Sequence, residues 1–151
     1  MAQEMTRQQI AHQILQVFLP LMRIVAAEVR RTEYMVAPAH FGLLMKLNHG
    51  SCSLGELAEK LGVSLPTMSN SVSTLTERGW ITRHPSKTDR RVMIVELTPL
   101  GRQILAEIQA CAERRMMDML AGLSQGELEH LIGSMEILDK VLPYDRQSAA
   151  A

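Results

Sequence analysis

Apolar residues recur with a helical period along most of this chain, and the one stretch that breaks the rule separates two short runs of extended character. From Arg7 to about Thr32, Ile10, Ile14, Val17, Leu21 and Ile24 return every three or four positions. This predicts a long helix bent at Pro20, where the bond back to residue 16 is lost. A second helix is predicted over 38–48, ended by "NHG". The short stretch "LGELAEKLG" turns Leu54, Leu57, Ala58 and Leu61 inward and stops at Gly62; "LPTMSNSVSTLTERG" turns Leu65, Met68, Val72 and Leu75 inward and stops at Gly79. Two strands follow, "WITRH" and "VMIVEL", separated by a polar turn. Helices from Pro99 to about Leu120 and from Gln125 to about Leu142 complete the chain, the last with Leu128, Leu131, Ile132, Met135, Leu138 and Leu142 on one face. Thr6 with Gln9, Ser53 with Glu56 and Ser124 with Glu127 have capping-box spacing, and Thr98-Pro99 pairs a cap with a proline in the first turn. The tail over 143–151 is expected to fray.

The expected fold is mostly α (α+β), with six helices and one hairpin. At 151 residues and 46% hydrophobic content, the chain can bury a real core as one domain, or as one domain with a dimerisation appendage. Its uninterrupted apolar runs are short, so no membrane-spanning helix is expected. The polar start "MAQEMTRQQIAHQ" lacks a signal-peptide layout, and two cysteines without a CxxC point to a reducing, cytoplasmic location.

Net charge is zero overall, yet the segment 64–91 holds Arg78, Arg83, Lys87, Arg90 and Arg91 against Glu77 and Asp89, a local charge of +3. Such a segment can bind a polyanion from within a neutral protein. The two short helices around "GVS" have the pattern of a helix-turn-helix. The outer face of the second carries Pro66, Thr67, Ser69, Asn70, Ser71, Ser73 and Thr74, with Arg78 near its end. Small hydroxyl and amide side chains can approach phosphates and base edges closely, whereas an ordinary surface helix favours Lys and Glu. A plain Ser/Thr-rich surface helix is the bland alternative. The hairpin with a basic tip favours the first reading, because a helix-turn-helix followed by such a hairpin is a winged helix. Its wing can offer arginine to a narrow minor groove.

The segment "LGELAEKLGVSLPTMSNSVSTLTERGWITRHPSKTDRRVMIVELTPLGR" resembles the MarR family of bacterial transcriptional regulators. The resemblance rests on the L-A-x-x-L-G-V-S turn, the L-x-x-R-G-W-I exit and the D-R-R…L-T-x-x-G wing. It implies a homodimer that binds a pseudo-palindromic double-stranded operator, most often a repressor released by a small ligand or oxidant. It also implies that Pro66, Thr67, Asn70, Ser71 and Thr74 face DNA, that Arg91 enters the minor groove, and that Asp89 pairs with Arg91. Lys87, Arg90 and Arg78 complete the expected DNA-binding set. Several relatives carry arginine where this chain has Asn70, so base preference there can differ. The corresponding division is a winged helix-turn-helix over 36–98, flanked by dimerisation helices at 7–32 and 99–142.

Heptad-like stripes over Ile10–Ile24 and Leu128–Leu142 fit a helical dimer interface, with intramolecular packing as the alternative. Arg23, Tyr34, Met35, His40, Met45 and Met116 could border the family's effector cleft. Cys52, before a helix N-terminus, is the candidate for thiol redox sensing, while Cys111 reads as a buried structural thiol. His49 lies near Cys52 in sequence, but the five histidines form no ligand motif, so no metal site is expected. Neither a nucleophile–base pairing nor a dinucleotide fingerprint is present, so no enzyme activity or cofactor is expected. A winged helix serving only as a protein-interaction module remains the competing class.

Overall fold

The structure, a computed structural model, describes residues 6–142. The tail at 143–151 lies outside the described residues. In chain order the elements are α1 (Arg7–Arg31), α2 (Pro38–Asn48), β1 (Cys52–Ser53), α3 (Leu54–Lys60), α4 (Leu65–Glu77), β2 (Ile81–Pro85), β3 (Met93–Leu97), α5 (Pro99–Leu120) and α6 (Gln125–Val141).

Caps set most of these boundaries. Thr6, Ser53 and Ser124 each complete a capping box with the glutamine or glutamate three residues on, while Ser64 and Thr98 accept from the N–H groups of Thr67 and Gly101. The three strands form one antiparallel sheet in the order β1-β3-β2, with Ile81 opposite Leu97 and Pro85 opposite Met93. The two-residue strand β1 is an addition to the expected hairpin: Cys52 pairs with Val95 and Ser53 with Ile94.

The core gathers Leu43, Leu44 and Leu47 of α2, Leu57 and Ala58 of α3, Met68, Val72 and Leu75 of α4, Val95 and Leu97 of β3, and Ile104, Leu105 and Ile108 of α5. Val29 closes it from α1. Two inward assignments do not hold. Leu65, expected in the core, is 53% exposed, because it opens α4 ahead of the buried row Met68-Val72-Leu75. Cys111, expected to be buried, is half-exposed and accepts from Arg114 Nη2 at 3.5 Å.

The two terminal helices are incompletely covered. α6 buries no residue, and Ile132, Met135, Ile137 and Val141 are exposed on it; Ile10, Leu15, Val17, Leu19 and Met22 are exposed on α1. Contrary to the expectation from its short apolar runs, α1 is long and apolar enough by length and composition to cross a membrane. The polar residues that break the runs leave the average over eighteen residues apolar. The C-terminal end of α1 nevertheless delivers Val29 into the core of the winged helix.

Candidate nucleic-acid interface

Residues 54–77 fold as a helix-turn-helix because α3 ends abruptly. The N–H of Val63 bonds to the Ala58 carbonyl at 3.0 Å and that of Gly62 to the Glu59 carbonyl at 3.1 Å, with Gly62 at φ +64°. This pairing satisfies the last carbonyls of a helix and needs a left-handed residue, which glycine adopts without strain. Ser64 then caps α4 at once, its Oγ accepting from Thr67 N at 3.3 Å. The same termination recurs at the far end of α4: Trp80 N bonds to the Leu75 carbonyl and Gly79 N to that of Thr76.

With Met68, Val72 and Leu75 buried, the opposite side of α4 is fixed outward. Pro66, Thr67 and Asn70 are exposed, and Ser69, Ser71, Ser73 and Thr74 are half-buried along the same helix. Two hydroxyls are held locally. Thr67 Oγ1 lies 2.8 Å from Ser64 Oγ, and Thr74 Oγ1 donates to the Asn70 carbonyl at 3.1 Å. Their oxygens keep free lone pairs for a donor from outside.

The wing is closed by backbone bonds, not by an ion pair. Ser86 N donates to the Val92 carbonyl at 2.8 Å, and Val92 N to the Asp89 carbonyl at 3.0 Å. Asp89 Oδ1 accepts from the backbone N–H of Arg91 at 3.0 Å, an Asx turn that shapes the tip. Asp89 was expected to pair with the Arg91 guanidinium; among the described residues no ion pair joins those side chains. The short loop lets the carboxylate reach the nearby backbone donor. Lys87, Arg90 and Arg91 are all exposed around this turn. Below it, His84 Nε2 lies 3.5 Å from Glu96 Oε1 across the strands.

Thr98 and Gly101 lock the wing's return strand to the exit of α4. Thr98 N and Oγ1 both donate to the Trp80 carbonyl, at 3.0 and 3.1 Å, and Oγ1 also reaches the Gly79 carbonyl at 2.7 Å. A Cβ at position 101 would lie 1.8 Å from the Trp80 carbonyl oxygen, so only glycine permits this approach. The L-T-x-x-G motif is therefore a packing device between α5 and the end of α4.

Arg78 is engaged elsewhere than on the polar face of α4. Its Nη1 donates to the Tyr34 carbonyl at 2.9 Å, and its Cζ lies 4.9 Å from the Trp80 ring centroid. Tyr34 meets Trp80 edge-on, at 6.0 Å and 86°, and its hydroxyl donates to Glu107 Oε2. That hydrogen bond, then burial, pushes the Tyr34 phenol up to about 12; the same bond, then the one from Gln103, holds the Glu107 carboxyl below its ordinary range. Burial, then the nearby Arg78 charge, lowers His40. Sequence offered no signal for this cluster, since its partners lie 44 and 73 positions apart.

Of the residues expected at an effector cleft, Tyr34 and His40 thus share the surroundings of Arg78. Met35 follows Tyr34 in a left-handed conformation, φ 47°, and is 79% exposed. Met45 Sδ accepts from Gln109 Nε2 at 3.0 Å, which ties α2 to α5. Among the described residues no hydrogen bond, ion pair or ring contact joins Arg23 or Met116 to this group. The redox candidate Cys52 is only 9% exposed and packs in the core, its thiol 3.9 Å from the Gly50 carbonyl. A thiol shielded in this way is poorly placed for attack by an oxidant. Among the described residues no group of three or more His, Cys, Asp or Glu side chains could hold a metal ion.

The family model named MarR matches residues 37–93, the α2-to-wing unit described above. Those residues form a MarR-family domain. A protein of Thauera aromatica assigned to transcriptional regulation of the hcr operon is 36% identical over 104 residues, covering 68% of this chain and 63% of that one. The chain spans less than two thirds of the curated relatives it matches, 62% for the helix-turn-helix-type regulator YfiV of Bacillus subtilis. Among solved structures, RV1404 from Mycobacterium tuberculosis superposes with a TM-score of 0.76 at 22% identity, covering 95% of this chain and 99% of that one. FabT from Streptococcus pneumoniae, solved in complex with DNA, superposes with a TM-score of 0.68 at 20% identity, covering 89% and 96%. The winged helix and its flanking helices thus share their fold with these solved structures.

Proposed function

We propose that this chain is a homodimeric MarR-family regulator of transcription that binds a pseudo-palindromic duplex. In this reading α4 enters the major groove and the 84–92 wing meets the adjacent minor groove. The carrying observation is the juxtaposition of an outward row of small polar side chains on α4 with the exposed Lys87, Arg90 and Arg91 of a backbone-braced wing. Pro66, Thr67, Asn70, Ser71 and Thr74 would meet bases and phosphates, with Asn70 suited to bidentate pairing with adenine. Arg91 would enter the minor groove, while Lys87 and Arg90 would meet phosphates. The exposed apolar residues of α1 and α6 support a second copy packing there, which would bring two recognition helices to one duplex. The complex of FabT with DNA supports the same use of the fold. Repression released by a small effector, in the cytoplasm, completes the proposal.

Salt titration of duplex binding is the deciding test. Log affinity should fall linearly with log salt, by roughly 0.9 per contacted phosphate. Binding that is absent, or insensitive to salt, would overturn the assignment in favour of a protein-interaction module.

A further inference from the structure

The contacts of Arg78 differ in kind from those of the wing arginines. Its guanidinium bridges the turn between α1 and α2, through the Tyr34 carbonyl, to the ring of Trp80 at the start of the wing. Tyr34 continues the chain of contacts to Glu107 on α5, and Gln103 Nε2 holds the other oxygen of Glu107 at 3.0 Å. Trp80 is the single tryptophan, and it receives Arg78 over its ring and Tyr34 at its edge. The end of α4 is thereby tied to a helix whose far end lies outside the winged helix.

We infer that Arg78, Tyr34 and Glu107 are positioning residues that set the angle at which α4 is presented, so that the set of α5 is passed to the recognition face. This rests on the DNA-binding reading above. The geometry supports a lever. α4 has 13 residues. It pivots on its buried row, with roughly 10 Å from its midpoint to either end at the helical rise per residue. A rotation of about 5° moves an end by about 0.9 Å, enough to take a good hydrogen bond out of range. The relay acts where α4 has no buried residue of its own, beyond Leu75. The turn that supplies the Tyr34 carbonyl contains the left-handed Met35, a kind of strain that tends to collect at switch segments. Tyr34 and Glu107 meet near the surface, so their bond contributes little to global stability while still fixing an angle.

The experiment uses the full chain and a duplex selected by the wild-type protein from a random pool, with a scrambled duplex for comparison. Fluorescence anisotropy gives both affinities, and Trp80 emission and thermal melting are recorded on the same samples. Tyr34→Phe keeps the ring against Trp80 but removes the hydroxyl, and Glu107→Ala removes its acceptor. Each should weaken the selected duplex roughly three- to tenfold. The scrambled duplex and the melting midpoint should stay unchanged, and the double variant should be no worse than either single one. Glu107→Gln retains an oxygen acceptor and should recover most of the affinity. Trp80 emission should shift with Tyr34→Phe and Glu107→Ala and return with Glu107→Gln.

Wild-type binding of the selected duplex with unchanged affinity in both single variants would overturn the relay alone. Equal losses on both duplexes alongside a lower melting midpoint would also overturn it, as a merely structural contact. Failure of the wild-type chain to bind any duplex would instead remove the DNA-binding reading, and the relay with it.

Discussion

Replacing Gly101 by alanine should separate α5 from the exit of α4. The added Cβ would lie 1.8 Å from the Trp80 carbonyl oxygen and 2.8 Å from its carbon. An acceptable contact requires α5 to withdraw by about 1.5 Å, and a well-packed junction resists this at about 1–3 kcal/mol. The same oxygen accepts from Thr98 N at 3.0 Å and Thr98 Oγ1 at 3.1 Å, so withdrawal stretches both bonds. They contribute about 1 kcal/mol each. Better helix propensity returns about 1 kcal/mol, leaving a net loss of about 2–4 kcal/mol. That is a large part of the 5–15 kcal/mol typical of a domain. Urea unfolding followed by helical circular dichroism, at one fixed protein concentration, should show the midpoint falling sharply. Gly42→Ala is the control. It lies inside α2 with nothing within 4 Å of its would-be Cβ, and should stabilise by up to about 1 kcal/mol. A Gly101→Ala midpoint equal to or above wild type would refute the packing argument.

The wing offers a paired test: Arg91→Ala should cost on the order of 1–3 kcal/mol of duplex binding and leave the oligomeric state in solution unchanged. Asp89→Asn keeps an acceptor for the Arg91 N–H and should bind like wild type, whereas Asp89→Ala should bind less tightly; equal losses in anisotropy would restore a charge-pairing role. Ser64→Ala removes the α4 cap and should lower stability by about 1 kcal/mol in urea unfolding. His40, lowered by burial and by Arg78, favours the neutral form when folded, so its contribution is complete above 6.5 and is lost as pH falls from there through its lower folded value. The urea midpoint should therefore drop from about pH 7.5 to about pH 5.5, and His40→Gln should flatten that drop; Glu107 and Glu127, both held below 4.5, titrate under this window. With a thiol reagent, native protein should react at half-exposed Cys111, and Cys52 should react only after unfolding.

Most helix boundaries were legible in the sequence because caps and stops are local: Ser53 with Glu56 or Gly62 act within one or two turns. The two-residue β1 was not, since so short a strand has no period and its partners, Ile94 and Val95, lie some forty positions away. The candidate interface divides in the same way. The outward polar row from Pro66 to Thr74 follows from the spacing of Met68, Val72 and Leu75. Asp89 was recognisable as part of the wing, but its choice between a guanidinium and a backbone N–H depends on loop geometry. Its place at the end of α4 makes Arg78 a candidate DNA contact, and only the approach of Tyr34 and Trp80 gives it another engagement. The exposure of Leu65 and the burial of Cys52 depend on what neighbouring elements cover, which periodicity within one helix does not specify.

The strand order has a consequence for solubility. With β3 in the middle, its backbone is engaged on both sides, and only β1 and β2 present edges. β1 is two residues long, too short to template another chain. β2 exposes Thr82, Arg83, His84 and Pro85, so a strand growing along that edge meets charge and then a residue with no N–H to donate. A sheet this small would otherwise be open to edge-to-edge growth wherever several copies crowd together. The composition of β2 guards the sheet against that polymerisation while leaving its tip free.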